Sequence, residues 1–145
     1  IGKAEVSRSG EGARDLGFLT KHDSVEINPD RVLHCAKQLV LRLSGAGYRQ
    51  ENVKEDIPVA GSAGLAVLKV SLHLMQQAGY ISDHDVLIGE KLAYILTGGD
   101  LNHQTTVSEQ YLLDMEREAF LSLCGERKTL DRIQYMLKMG KPLRN

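Results

Sequence analysis

Asp83-His84-Asp85, with His73 shortly upstream, gathers side chains that can bind a metal into one short stretch. A metal centre needs ligands whose spacing brings them to one point, and no HExxH or comparable pattern is present. Asp83 and Asp85 read instead as helix-start acids, and Ser82 with Asp85 makes a capping-box signature. Cys124 would act as a nucleophile only beside a base, and no histidine neighbours it in the chain. His22, His34 and His103 stand isolated. Gly61-Ser62-Ala63-Gly64 could offer backbone N–H groups to a phosphate at a helix start. It lacks the Lys-Ser/Thr ending of a phosphate-binding loop, and no strong strand precedes it, so it reads as a small-residue helix entry. Gly98-Gly99 reads as a helix stop. Lys138, Lys141 and Arg144 make a basic tip, suited to the negative end of the last helix or to an anionic ligand. The acids from Glu109 to Glu118 read as a solvated helix face. No paired carboxylates stand out as an acid/base couple.

Composition narrows the classes further. A chain of 145 residues with 42% apolar and 26% charged side chains is ordinary for a soluble globular protein. It is long enough for one domain, 1–145, that buries roughly two-thirds of the unfolded surface. No tryptophan, five tyrosines and three prolines argue against an all-β design. A formal charge of −1 gives no field for nucleic acid or anionic membrane. Cys35 and Cys124 lie far apart without CxxC spacing and read as reduced thiols, which suits a cytoplasmic protein. No apolar run reaches the roughly 20 residues of a membrane span, and no signal peptide is visible. The chain opens at Ile1-Gly2-Lys3 without an initiator Met, as a piece of a longer protein would.

Caps and periodicity predict six helices. Ser9 caps a short first helix that Gly17 stops. Phe18-Leu19 and Val25-Glu26-Ile27 read as brief extended pieces. Asn28-Pro29-Asp30 opens a second helix, whose Val32, Leu33, Ala36, Leu39, Val40 and Leu43 form a buried stripe. A polar loop follows, and Pro58 argues against a central strand there. The third helix starts near Ser62 and carries apolar residues on two faces, which predicts burial on both sides. Ser82 opens the fourth, with Ile88, Leu92, Ile95 and Leu96 inward. Thr106 with Glu109 makes a second capping box for the fifth, which buries Tyr111, Leu112, Met115, Ala119, Phe120 and Leu123. Thr129 caps the sixth, with Ile133, Met136 and Leu137 inward. The expected architecture is mostly α, about six packed antiparallel helices joined by Gly-rich turns.

Several phrases carry a family resemblance. They are Arg14-Asp15-Leu16-Gly17-Phe18-Leu19, Gly79 to Asp85, Lys91 to Asp100, Val107 to Phe120, and Gly140-Lys141-Pro142-Leu143-Arg144-Asn145. Together they resemble the C-terminal helical region of the crotonase (enoyl-CoA hydratase/isomerase) superfamily. More closely, they resemble the last part of bifunctional 3-hydroxyacyl-CoA dehydrogenase/enoyl-CoA hydratase proteins. The resemblance implies a parent that converts acyl-CoA thioesters in fatty-acid β-oxidation, using NAD in its dehydrogenase half. It implies that the catalytic segments precede Ile1, so this chain holds no cofactor and no complete active site. The tail would serve assembly with the rest of the parent polypeptide and in a homo-oligomer, and would form the rim of the acyl-CoA pocket. Where the family places an aromatic and a Lys against CoA, this chain has Met136 and Met139. Met136 would keep the apolar contact, and Lys138 or Lys141 would supply the charge. The competing expectation is a self-contained helical protein-interaction module with no link to CoA. A reading frame extended upstream separates the two, by a crotonase core and a GxGxxG domain or by their absence.

Overall fold

The computed structural model describes residues 6–145. It is mostly helical, with six α-helices and one two-stranded sheet among the described residues. The order is α1 (Gly10–Asp15), α2 (Val32–Gly45), β1 (Ile57–Val59), α3 (Gly61–Gln77), α4 (Asp83–Leu96), β2 (Thr105–Val107), α5 (Glu109–Cys124) and α6 (Arg127–Met139). Two compact units divide the chain, Ile1–Asn52 and Val53–Asn145.

In the first unit Ser9 is extended and its hydroxyl accepts from Gly12 N–H at 3.0 Å, which starts α1. Arg14 then holds the following turn together. Its guanidinium donates to the Asp23 carbonyl at 2.6 Å and to the Thr20 carbonyl at 3.3 Å. Phe18-Leu19 and Val25 to Ile27 form no strand. The Asn28 side chain accepts from Asp30 N–H, and Pro29–Arg31 make a short 3-10 turn that leads into α2. The stripe expected to be buried on α2 is not. Val32, Leu33, Val40 and Leu43 are all exposed, and no α2 residue is fully buried. Periodicity shows that a helix has an apolar side; it does not supply the element that covers it.

The second unit builds on successive helix pairs, α3 on α4, α4 on α5, and α5 on α6. The Leu72 side chain of α3 sits over Gly89 of α4, where a Cβ would lie 2.6 Å from a Leu72 methyl. β1 and β2 pair antiparallel in the register Ile57↔Val107, Pro58↔Thr106 and Val59↔Thr105. A two-stranded ribbon has only edge strands, so Pro58 takes part without breaking a central ladder. Buried Val59, Ala93, Thr97 and Ala119 make the core, where β1, the end of α4 and α5 converge.

Two expected caps move. Thr106 lies in β2, and the hydroxyl that accepts from Tyr111 N–H belongs to Ser108. α6 begins at Arg127 behind Glu126, whose side chain makes no cap, and Thr129 is buried inside the helix. On α5 the expected inward face is covered in part: Ala119 is buried and Leu112, Met115 and Leu123 are half-buried, while Tyr111 is exposed. Phe120 is exposed, and on α6 Met136 and Leu137 are exposed, Leu137 at 81%. α3 is covered on one face instead of two, because no described element of this unit lies against Val67, Val70 and Leu74.

Candidate functional site

The densest polar cluster of the second unit lies where the start of α4 meets α6. Ser82 is extended, and its hydroxyl accepts from Asp85 N–H while the Asp85 carboxylate accepts from Ser82 N–H at 3.0 Å, the reciprocal capping box. The other Asp85 oxygen takes Arg132 Nη1 at 2.7 Å. Arg132 also donates through Nε to Asn145 Oδ1 at 2.8 Å and through Nη2 to the Asn145 carbonyl at 3.2 Å. Asn145 Nδ2 in turn donates to the Lys128 carbonyl at 3.3 Å. One guanidinium therefore ties α4, α6 and the last residue together.

His84 lies beside this cluster, and its Nε2 meets the buried Thr129 hydroxyl at 3.0 Å. Burial, then the nearby Arg132 and Lys128 charges, push the imidazole below its ordinary value and favour its neutral form. The folded state therefore binds fewer protons here than the unfolded chain, so this stabilisation holds above the ordinary histidine range and is lost as pH falls through it. Stability measured by urea titration should drop between pH 7 and pH 5, and His84→Gln should flatten that slope. Thr129→Val leaves the imidazole nitrogen unpaired and should cost about 1–2 kcal/mol at neutral pH.

This cluster acts as a joint: Asp83 accepts from Gln76 Nε2 at 2.8 Å, and Asp85 is held by Arg132. No buried side-chain polar atom lacks a partner among the described residues. No group of three or more His, Cys, Asp or Glu side chains converges on a metal position among them. In the first unit Cys35 Sγ donates to Glu26 Oε2 at 2.9 Å, and this bond holds the thiol up, away from the thiolate form.

The Gly61-Ser62 helix entry has its backbone donors already engaged, which bears on its use as an anion or dinucleotide site. Gly61 N–H donates to the Thr97 carbonyl and Ser62 N–H to the Leu101 carbonyl, at 2.9 and 2.8 Å. The Ser62 hydroxyl donates to the Asn102 carbonyl at 3.0 Å. The Gly61 and Ser62 N–H groups are therefore not free to hold a phosphate at this entry.

Met136 and Lys138 lie in the last turn of α6, and Lys141 follows it. Gly140 adopts the left-handed conformation and donates to the Met136 carbonyl at 2.9 Å, which turns the chain so that Lys141 follows the helix end. Met136, Lys138 and Lys141 are exposed, and neither lysine forms an ion pair among the described residues. A groove of about 450 Å³ runs between α4 and α5, floored by Ile88, Leu92, Ile95, Leu113, Phe120 and Leu123. Its size falls in the range of small-molecule sites.

The chain is 47% identical, over all of its 145 residues, to the probable 3-hydroxyacyl-CoA dehydrogenase of Bacillus subtilis (strain 168). It spans 18% of that protein's length. No protein-family model matches the chain, and no solved structure matches it.

The similarity runs through every part of the site. It covers the Ser82-to-Asp85 cap, the Arg132 joint and the Met136-to-Lys141 tip in one span of likeness to a much longer dehydrogenase. Arg132, Asn145 and the His84–Thr129 contact escaped the sequence reading. Arg132 looks like any cation on the polar side of a helix, and its partner stands 47 positions away. No helix among the described residues is long and apolar enough to cross a membrane.

Proposed function

We propose that this chain is a helical segment of a 3-hydroxyacyl-CoA dehydrogenase that acts in fatty-acid β-oxidation. The observation that carries this is 47% identity across the whole chain to a probable dehydrogenase of which it spans 18%. NAD then binds elsewhere in the parent polypeptide, a reading supported by the Gly61-Ser62 helix entry, whose two leading backbone donors bind the chain's own carbonyls. The segment serves assembly with the remainder of that polypeptide and in a homo-oligomer, and it forms the edge of the acyl-CoA site. Uncovered apolar faces on α2, α3 and α6 support the assembly role, because contiguous exposed apolar side chains mark contact surfaces. The finer reading, drawn from the resemblance, adds an enoyl-CoA hydratase activity in a crotonase-type module of the same parent.

Met136 supplies the apolar contact at the CoA edge, and Lys138 and Lys141 supply charge to its phosphates. Exposed, unpaired lysines suit mobile anionic groups better than a fixed ion pair would. In the full-length dehydrogenase, the double substitution Lys138→Glu, Lys141→Glu should raise KM for the acyl-CoA about tenfold and leave kcat unchanged. An unchanged KM, measured by NADH formation, removes these residues from the site. The competing reading is a self-contained helical interaction module. A parent reading frame without a dinucleotide-binding domain would favour that module.

A further inference from the structure

We propose that α6 is held on α4 by a pH-operated clasp, and that mild acid favours its release while the rest of the second unit stays folded. The polar contacts of α6 decide its docking because its apolar ones are few. Thr129 is its one buried residue. Leu130, Ile133, Met136, Leu137 and Met139 are exposed, from 36% to 81%. A helix that buries so little apolar surface belongs to the parts of a fold that open locally, at lower cost than global unfolding. α4 is the reverse. Leu72 of α3 packs over its Gly89, and its Ala93 is buried in the core.

Two side chains of α6 reach α4. Arg132 donates to the Asp85 carboxylate at 2.7 Å, and the Thr129 hydroxyl meets His84 Nε2 at 3.0 Å. These contacts respond differently to acid. Asp85 is held at about 2 and keeps its charge at pH 5. The imidazole, buried at 5% exposure, is the half of the clasp that changes.

Four charged groups face the imidazole. Arg132 and Lys128 come from α6, Glu126 from the turn before it, and Asp85 from α4 itself. A proton on His84 places a third cation beside Arg132 and Lys128, where little water can screen it. Glu126 and Asp85 attract that proton, but burial and the two cations outweigh them. The docked site therefore resists a proton that the opened site accepts, and falling pH favours the opened one. Both cations ride on α6, so its departure relieves repulsion and burial together. The Thr129 bond does not set the direction, since a hydroxyl can donate or accept.

Release carries Met136, Lys138 and Lys141 away with the helix. It would thus tie the proposed CoA contact to pH, a consequence that rests on that reading, whereas the release itself does not.

Amide hydrogen exchange of the 145-residue chain at pH 7 and pH 5, corrected for intrinsic exchange rates, tests the clasp. At both values α6 should be less protected than α3, and its exchange should respond less to urea, the mark of local opening. Protection from Leu130 to Met139 should fall several-fold between pH 7 and pH 5. His84→Gln keeps a donor and an acceptor for Thr129 but takes up no proton, so its α6 protection should not change with pH. The imidazole resonances of the unsubstituted chain need no variant, and they should titrate in step with the loss of α6 protection. Protection of α6 equal to that of α3, unchanged at pH 5, or still falling in His84→Gln would overturn the clasp. None of these outcomes bears on the KM for acyl-CoA, which tests the CoA contact separately.

Discussion

Gly61→Ala should lower the stability of the second unit by about 3 kcal/mol, a large part of the 5–15 kcal/mol typical of a whole domain. Gly61 has φ of +62°, where an alanine costs about 1–2 kcal/mol. Its added Cβ would also lie 2.6 Å from the His103 carbonyl oxygen and 2.8 Å from that of Leu101. Those oxygens are backbone, so a rotamer change cannot relieve the clash, and overpacking of this kind adds about 1–3 kcal/mol. The lower entropy of the unfolded alanine chain offsets less than about 1 kcal/mol. Gly79→Ala, in the same unit, is the control. It shares a positive φ of +73°, but nothing lies within 4 Å of its Cβ, so it should cost only the conformational part. Urea midpoints of the two variants separate the contributions. Equal losses would mean that the loop from Leu101 to His103 gives way freely.

Arg132→Ala should cost about 2–3 kcal/mol, because it leaves the Asp85 carboxylate and the Asn145 groups without their shared donor. The side chains of Arg132 and Asp85 are only 19% and 29% exposed, so water replaces the lost bonds poorly. The pH dependence gives a sharper signature. Burial raises the Asp85 pKa, but the Ser82 N–H, the Arg132 guanidinium and the Ser82 hydroxyl together outweigh it and hold the carboxyl at about 2. A carboxylate lowered from 3.8 to about 2 contributes about 2 kcal/mol. That contribution is complete above about pH 5 and is lost as pH falls toward 2, since the unfolded chain takes up the proton first. Arg132→Ala should bring the Asp85 pKa back toward 3.8 and shrink the acid slope. Thermal unfolding of both proteins across this pH range measures it.

Local hydrogen bonding made the helix starts at Ser9, Asn28-Pro29 and Ser82 legible, because each cap is decided within three residues of itself. The stops at Gly17, Gly79 and Gly98-Gly99 were legible for the same reason: all have positive φ. Thr106 misled because its capping-box pattern with Glu109 is sound in isolation, yet pairing with Pro58 draws it into a strand and leaves the cap to Ser108. Thr129 misled in the same way, since its hydroxyl bonds His84 instead of its own helix start. Partners 45 or more positions away leave no local trace. Burial was the least legible property. The apolar stripes of α2, α3 and α6 have the periodicity of core faces, and nothing in a stripe says whether its cover belongs to the same chain.

Of the candidate site, the sequence showed the capping carboxylate and the basic tip but not the joint that unites the start of α4 with the last residue. That joint turns residues which resemble metal ligands into structural ones.

Turnover by the 145-residue chain alone tests most directly whether these helices frame an active site that lies elsewhere. With 3-hydroxybutyryl-CoA and NAD, or with crotonyl-CoA, the folded chain should give no product, and the full-length parent should, on the proposed reading, reduce NAD under the same conditions. Sustained NADH formation or crotonyl-CoA hydration by the isolated chain would contradict that reading, because it would place a complete reaction centre within these residues.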